Sequence, residues 1–173
     1  MRKLLLETKR LLMVTTMEED LHFFAQKIYG DFEVVRHTTK RVFTKAETEA
    51  FMHKMFTYDS PLGFAPIIEK KSQKLIGHGG ILPFKYFQNA NHYEFGYIFQ
   101  KSSWGQGYAS EIAQAQIEFI QTTYPNGKIF ATVSPENKIS QHILEKVGME
   151  RQEKITLSRG VRLLYALAEI SKC

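Results

Sequence analysis

The chain has 173 residues, a length that suits one domain with a substantial core, and we expect a single domain over residues 1–173. Hydrophobic residues make up 43% of the chain and charged residues 24%, which argues against disorder over any long stretch. The formal net charge of +5 suits a polyanionic partner, but the basic residues are scattered, so charge alone does not indicate nucleic-acid binding.

The opening segments are predicted to form a strand followed by two helices. The compact apolar stretch 10–16 ends in β-branched residues and is typical of a strand. Residues 17–30 carry acidic residues in their first turn and end in glycine, as helices often do. A capping box of Thr44 and Glu47 predicts the start of a second helix over 44–58.

Three strands are predicted next. Residues 63–70 and 75–84 flank a short polar turn and are typical of a hairpin. Residues 92–100 alternate in the manner of a strand. One face would carry Tyr93, Phe95, Tyr97 and Phe99, and the other His92, Glu94, Gly96 and Ile98.

The second half alternates between helices and strands. We expect helix 107–122, strand 128–134, helix 137–149 with Asn137 as N-cap and Gly148 after its end, and strand 161–170. The sequence therefore predicts a mixed α/β fold, in which the early strands pair as hairpins and the later ones are joined by helices.

The stretch SSWGQGYASE, residues 102–111, joins a strand to a helix through two glycines. The first amides of a helix lack internal partners and lie at the positive end of its dipole, so an anion can bind there. Gly105 and Gly107 would let a phosphate approach the backbone closely. An ordinary structural turn is an equally good interpretation of these residues alone.

Three phosphate-binding motifs can be compared with this stretch. The nucleoside triphosphate loop is absent, and the dinucleotide motif would need a third glycine where Ser110 stands. The acyl-CoA turn, Arg/Gln-x-x-Gly-x-Gly/Ala, is matched at Gly107 and Ala109. It is not matched at its first position, which holds Trp104.

Taken together, several stretches resemble the GNAT superfamily of acyl-CoA-dependent N-acyltransferases, and in particular its RimJ/RimL-type branch. The resemblance covers nearly the whole chain in the right order, at residues 5–21, 75–81, 94–111 and 137–149. It implies a central, mostly antiparallel sheet of about six to seven strands flanked by about four helices. It also implies acetyl-CoA as acyl donor, without a metal.

The resemblance implies a set of cofactor-binding residues. The backbone of a splayed strand, at Ile98 and Phe99, would pair with the pantetheine arm of CoA. The pyrophosphate would be held by the turn residues Gly105, Gln106, Gly107, Tyr108, Ala109 and Ser110. Asn137 and Ser140 would bond the pantetheine or the thioester, although a plain helix cap explains the same pair.

Two residues are candidates for the chemistry. Glu94 could accept the proton of the attacking amine, because it shares a strand face with Gly96, where a ligand could come close. An exposed strand glutamate is the competing interpretation. Many GNAT enzymes protonate the leaving thiolate with a tyrosine, but this chain has Leu144 at that position. Ser140 is therefore our candidate to stabilise the thiolate, with water as the alternative proton source.

The leading hypothesis is direct acetyl transfer to a primary amine of a protein N-terminus or small molecule. A non-catalytic acyl-CoA-binding regulatory domain is the alternative, and RNA binding is a weaker third possibility. The acceptor loops 29–44 and 83–92 do not identify the amine, and a homodimer is possible by analogy with relatives.

The composition and the apolar runs also bear on location. The single cysteine, Cys173, permits no internal disulfide, and the six histidines lack metal-ligand spacing. The apolar run near the start is too short for a secretory signal, and no run approaches the length of a membrane span. We therefore expect a cytoplasmic protein with no membrane partner.

Overall fold

The computed structural model describes residues 1–87 and 91–168. Within them, the strands are β1 Leu4–Glu7, β2 Leu11–Val14, β3 Gly63–Glu69, β4 Lys74–Pro83, β5 His92–Phe99, β6 Lys128–Val133, β7 Met149–Leu157 and β8 Gly160–Leu167. They form one sheet in the order β1-β2-β3-β4-β5-β6-β8-β7. Neighbouring strands are antiparallel except β5 and β6, which are parallel.

The helices cover both faces of this sheet. They are α1 Asp20–Phe23, which continues as a π-helical turn over Phe24–Ile28, α2 Phe32–Val35, α3 Lys45–Met55, α4 Tyr108–Thr123 and α5 Lys138–Lys146. A single 3-10 turn, Lys101–Ser103, separates β5 from the residues that precede α4. The predicted capping box at the start of α3 and the predicted N-cap of α5 are both present.

The predicted mixed α/β fold with a mostly antiparallel sheet is confirmed, but the predicted strand count of six to seven was too low. The sequence analysis missed β1 and β7. β1 has only four residues, and β7 is an edge strand whose middle residues are exposed on both faces, so neither shows a clear alternating pattern. The helix α2 lies in a segment that was interpreted as a loop. The predicted last strand extends to residue 170, and positions 169 and 170 lie outside the described residues.

The two faces of the sheet carry separate parts of the core. α4 and α5 pack on one face, where Ile112, Ile117 and Ile120 of α4 are almost completely buried. Gln116 is buried among them. Its side chain accepts a hydrogen bond from the amide of Gly80 and donates one to the carbonyl of Gly96, so it joins α4 to β4 and β5. A buried polar residue in an apolar stripe is thereby satisfied.

The opposite face packs against α1, the π-helical turn and α3 through an aromatic cluster. His78 of β4 lies inside this cluster, and its Nε2 is 2.9 Å from the hydroxyl of Tyr29. Burial lowers the pKa of His78 from 6.5 to about 3. The imidazole is therefore neutral in the folded protein at neutral pH, and its role here is structural.

This histidine should make the free energy of unfolding depend on pH. In the unfolded chain, His78 is protonated below about pH 6.5, whereas in the folded protein it stays neutral down to about pH 3. The folded protein therefore loses stability as the pH falls through this window. We expect His78→Gln to remove this dependence. The free energy of unfolding of the wild type exceeds that of the variant by an amount that should shrink by about 2 kcal/mol as the pH is lowered from about 7.5 to about 5. Urea unfolding at each pH measures this. His142→Gln, at an exposed position of α5, is the matched control and should follow the wild type. If the free energies of unfolding of the wild type and His78→Gln differ by the same amount at every pH, the prediction is contradicted.

The parallel pair β5 and β6 is the feature that positions the site. Their pairing extends only from His92 opposite Lys128 to Glu94 opposite Phe130. Both strands continue beyond this point, β5 to Phe99 and β6 to Val133, without further pairing to each other. The sheet therefore opens between them towards the N-termini of α4 and α5.

Candidate active site

A cleft of about 540 Å³ lies at this opening, between the end of β5 and the N-termini of α4 and α5. It contains each residue predicted from the sequence to contact the cofactor: Ile98, Phe99, Gly105, Gln106, Gly107, Tyr108, Ala109, Ser110, Asn137 and Ser140. These residues come from three separate stretches of the chain, and the divergence of β5 and β6 brings them together. A long, thin ligand could thus reach the sheet between the two helix N-termini.

The turn before α4 has the geometry of an anion site. Gly105 and Gly107 have φ values of +74° and +78°, which strongly favour glycine, and Gly107 is the N-cap of α4. Within the described part of the chain, the backbone amides of residues 105–110 donate to no protein acceptor. Because no side chain caps this helix, its first amides are left for a ligand.

Two aromatic side chains of this turn direct their polar groups to other protein groups and not into the cleft. The indole Nε1 of Trp104 donates to the carbonyl of Phe99 at 2.9 Å, which fixes the turn to the end of β5. Tyr108 is buried against β2 and β3, and its hydroxyl donates to the side chain of Glu69. Tyr108 can therefore offer a ligand its backbone amide but not its hydroxyl.

The N-terminus of α5 forms the second wall. Oδ1 of Asn137 accepts a hydrogen bond from the amide of Ser140 at 3.1 Å, as the N-cap interpretation predicted. Both residues also line the cleft, so capping and facing a ligand occur together. Leu144 is buried in the core beneath α5, and its side chain has neither the chemistry nor the exposure of a proton donor.

The hydroxyl of Tyr97 is a further polar group at this wall that the sequence analysis did not single out. It is buried and makes no hydrogen bond of normal geometry within the described chain. Burial raises the pKa of Tyr97 to about 12, and the neighbouring side chain of Ser140 opposes this only in part. Tyr97 is therefore a neutral hydrogen-bond donor beside Ser140 throughout the physiological pH range.

Glu94 lies further along β5, where the pairing with β6 ends. Its Oε1 accepts hydrogen bonds from Thr132 at 2.6 Å and from Arg159 at 2.8 Å. It is not among the described residues that line the cleft. Gly96 lies between Glu94 and Ile98 on the same face, and no atom lies within 4 Å of the position that a Cβ would take there. Gly96 thus leaves open space between Glu94 and Ile98, and Ile98 lines the cleft.

The third wall comes from α2 and the residues after it, which the sequence analysis had interpreted as part of an acceptor loop. Glu33, Arg36 and His37 line the cleft, and Glu33 forms an ion pair with Lys101 across from it. Buried Arg162 of β8 donates to the carbonyl oxygens of His37 and Thr38 at 2.7 and 3.1 Å. This wall is thus fixed to the sheet by contacts between residues distant in sequence, which no local pattern reveals.

Comparison with known proteins identifies the group to which this architecture belongs. The model of the family described as "Acetyltransferase (GNAT) domain" matches residues 10–150. The chain belongs to the GNAT acetyltransferase family. It is 35% identical over 148 residues to the N-acetyltransferase YnaD of Bacillus subtilis, covering 84% of this chain and 82% of YnaD.

Solved structures agree with this assignment. A GNAT-family acetyltransferase from Bacillus anthracis superposes with a TM-score of 0.79 at 28% identity, covering 98% of this chain and 99% of that one. The aminoglycoside acetyltransferase AAC(6')-Ib, in complex with coenzyme A, has a TM-score of 0.70 at 17% identity, covering 92% and 95% of the two chains. At that identity the second likeness concerns the fold alone. This chain is thus an acetyltransferase of the GNAT family.

Within residues 1–87 and 91–168, no helix is long and apolar enough to cross a membrane. The same residues contain no group of three metal-ligating side chains. Cys173 and positions 88–90 of the predicted acceptor loop 83–92 lie outside the described residues.

Proposed function

We propose that this GNAT acetyltransferase takes its acetyl group from acetyl-CoA and transfers it directly to a primary amine. The observation that carries the proposal is the set of unpartnered amides at residues 105–110, which end a cleft between two diverging strands. An anion at one end and a narrow arm along the cleft fit a nucleotide thioester. AAC(6')-Ib, which shares the fold, is described in complex with coenzyme A.

The proposed binding mode assigns each part of the donor to a wall. The diphosphate lies on the turn amides from Gly105 to Ser110, and the pantetheine arm runs along the free edge of Ile98 and Phe99. Asn137 and Ser140 then face the thioester end. This arrangement places the acetyl group near the open space over Gly96, where an amine can approach.

We propose a mechanism without a covalent enzyme intermediate. The neutral amine attacks the thioester carbonyl carbon, a C–N bond forms, and the C–S bond breaks to release the thiolate. Glu94 accepts the proton that the amine loses, directly or through a water over Gly96. Ser140 donates a hydrogen bond that stabilises the thiolate, and the thiolate then takes its proton from solvent water.

Tyr97 supports Ser140 in this scheme as a positioning residue. A serine hydroxyl has one proton to donate and can also accept. If Tyr97 donates to Oγ of Ser140, the serine proton is directed to the thiolate. The persistently neutral tyrosine hydroxyl suits this task because it remains a donor at every working pH.

A double-mutant cycle tests this pair. A hydrogen bond to a developing charge is worth about 1.5–3 kcal/mol, so we expect Ser140→Ala to lower kcat by about 10- to 100-fold with little change in the Kd for CoA. Tyr97→Phe should also lower kcat, and the double variant should be no slower than Ser140→Ala alone. Normal turnover and normal CoA binding in Ser140→Ala would dismiss its role. Independent losses in the two variants would show that Tyr97 does not act through Ser140.

The acceptor is proposed to be either a protein α-amine, as the RimJ/RimL-type resemblance suggests, or a small primary amine. A panel can separate these classes: peptides with free N-termini, the same peptides with blocked N-termini and a free lysine, and small amines. Release of CoA thiol should accompany a mass increase of one acetyl group on the accepted class.

The same assay separates transfer from simple binding. Calorimetry with CoA and acetyl-CoA should show heat of binding for the wild type. Binding without thiol release for every amine in the panel would favour the non-catalytic, acyl-CoA-binding alternative. No binding of either compound would overturn the proposal.

A further inference from the structure

The turn before α4 is held by a residue almost one hundred positions earlier in the chain. Arg10 precedes β2, and its Nη1 donates to the carbonyl of Gln106 at 2.9 Å. Its guanidinium also lies over the ring of Tyr108, at 4.5 Å from the centroid. The hairpin of β1 and β2 therefore reaches directly onto the anion site.

Glu111 in the first turn of α4 completes this contact. Its Oε2 accepts from Nε of Arg10 at 2.6 Å, and its Oε1 accepts from the Arg10 amide at 2.8 Å and from the Thr8 hydroxyl at 2.5 Å. The pairing uses both carboxylate oxygens and orients the guanidinium. Burial raises the pKa of Glu111, but these hydrogen bonds and the Arg10 charge outweigh burial and lower it overall, so the carboxylate stays ionised at neutral pH.

One guanidinium nitrogen is left over by these bonds. Nη2 of Arg10 has no hydrogen-bond partner among the described residues, and it lies 3.5 Å from the position that a Cβ on Gly107 would take. It is therefore beside the N-cap whose neighbouring amides are also free. The side chain of Arg10 is 42% exposed.

This contact bears on the one mismatch between the sequence and the acyl-CoA turn. The first position of that motif, usually Arg or Gln, holds Trp104, whose indole is turned back to the carbonyl of Phe99. Trp104 brings no charge to the turn, and the turn residues from Gly105 to Ser110 are uncharged as well. Arg10 is the cation that contacts the turn within the described chain.

We propose that Arg10 is a positioning residue for the diphosphate of acetyl-CoA: it fixes the turn through Gln106 and Glu111 and directs Nη2 towards the anion. This inference rests on the proposed donor. The bond to the Gln106 carbonyl fixes the orientation of that peptide in the turn. The planar guanidinium can make these contacts at once, whereas a lysine ammonium lacks the fork geometry.

The test compares ligands with and without the diphosphate. We expect Arg10→Gln to weaken binding of CoA and of dephospho-CoA by about 10- to 100-fold in calorimetry. This is the loss of affinity expected when charge-assisted hydrogen bonds to the diphosphate are removed. Binding of S-acetylpantetheine, which has no diphosphate, should change less than about threefold. Arg10→Lys should give an intermediate loss for the two nucleotides, because charge is kept and the fork is lost.

Lys70→Met provides the matched control. Lys70 forms an ion pair with Glu7 and donates to the Thr8 carbonyl, so it belongs to the same hairpin region but does not contact the turn. Its removal should leave all three affinities unchanged. Thermal unfolding of each variant identifies any general loss of the fold. Such a loss would weaken the binding of S-acetylpantetheine and of CoA alike.

The outcomes are separable from those of the proposed function. If the wild type binds no CoA, the proposed donor is wrong. If the wild type binds CoA and Arg10→Gln binds it equally well, Arg10 is a structural ion pair only and the inference is overturned. An equal loss for CoA and S-acetylpantetheine would also overturn it, because the effect would not depend on the diphosphate. A loss for CoA but not for dephospho-CoA would move Arg10 to the 3′-phosphate and contradict the stated role.

Discussion

Gly107→Val is expected to weaken CoA binding by about 100-fold or more while leaving the protein folded. Gly107 has a φ of +78° and is the N-cap of α4. A β-branched residue is strained there, so the backbone shifts away from this conformation or the side chain occupies the space next to the free amides. Loss of about two charge-assisted hydrogen bonds to phosphate, at about 1.5 kcal/mol each, accounts for the expected magnitude.

A second glycine provides a control for strain. Gly148 follows α5 with a φ of +89°, and no atom lies within 4 Å of the position of a Cβ there. It is not among the residues that line the cleft. Gly148→Val should therefore lose stability through the same backbone strain but bind CoA like the wild type. Calorimetry and thermal unfolding of both variants measure the two effects separately. Equal CoA affinity in Gly107→Val and the wild type would contradict the anion site.

The sequence indicated the parts of the site that depend on local rules. The glycine turn, the N-cap Asn137 and the alternation of β5 each follow from backbone geometry over a few residues, and each lies where it was predicted. The family resemblance added the divergence of β5 and β6, which no short-range pattern contains. Local chemistry and topology together therefore predicted two of the three walls of the cleft, the turn before α4 and the N-terminus of α5.

The parts that were missed depend on contacts between residues far apart in the chain. Arg10 and Glu111 are separated by 101 positions, and Arg162 and His37 by 125. Neither arginine has a spacing that identifies its partner. Tyr97 was assigned to the correct strand face, but its proximity to Ser140 depends on how α5 packs against β5. Edge strand β7 was missed for another reason, since exposure on both faces removes the alternation that marks a half-buried strand.

Near neutral pH, Glu94→Gln is expected to lower kcat/KM by about 100-fold or more, which is the size of effect that a general base contributes. The Kd for CoA should change little. Glutamine keeps the volume of the side chain and can still accept from Thr132 and Arg159, so the local structure should persist. The loss should be largest at low pH, where the acceptor amine is protonated and needs a base. It should shrink as the pH approaches the pKa of the amine, because more acceptor is then neutral in solution. A pH profile of kcat/KM with a saturating donor measures this.

The ion pair with Arg159 provides the decisive comparison. If Glu94 serves only to hold Arg159, then Arg159→Met should reproduce the loss seen in Glu94→Gln. If Glu94 is the base, Arg159→Met keeps the carboxylate and should retain most of the activity. Glu150→Gln, on the exposed face of β7, controls for loss of a surface carboxylate and should be silent. Unchanged turnover of Glu94→Gln across the pH range would remove Glu94 from the mechanism. Proton removal would then fall to water over Gly96, where the sheet leaves room for it.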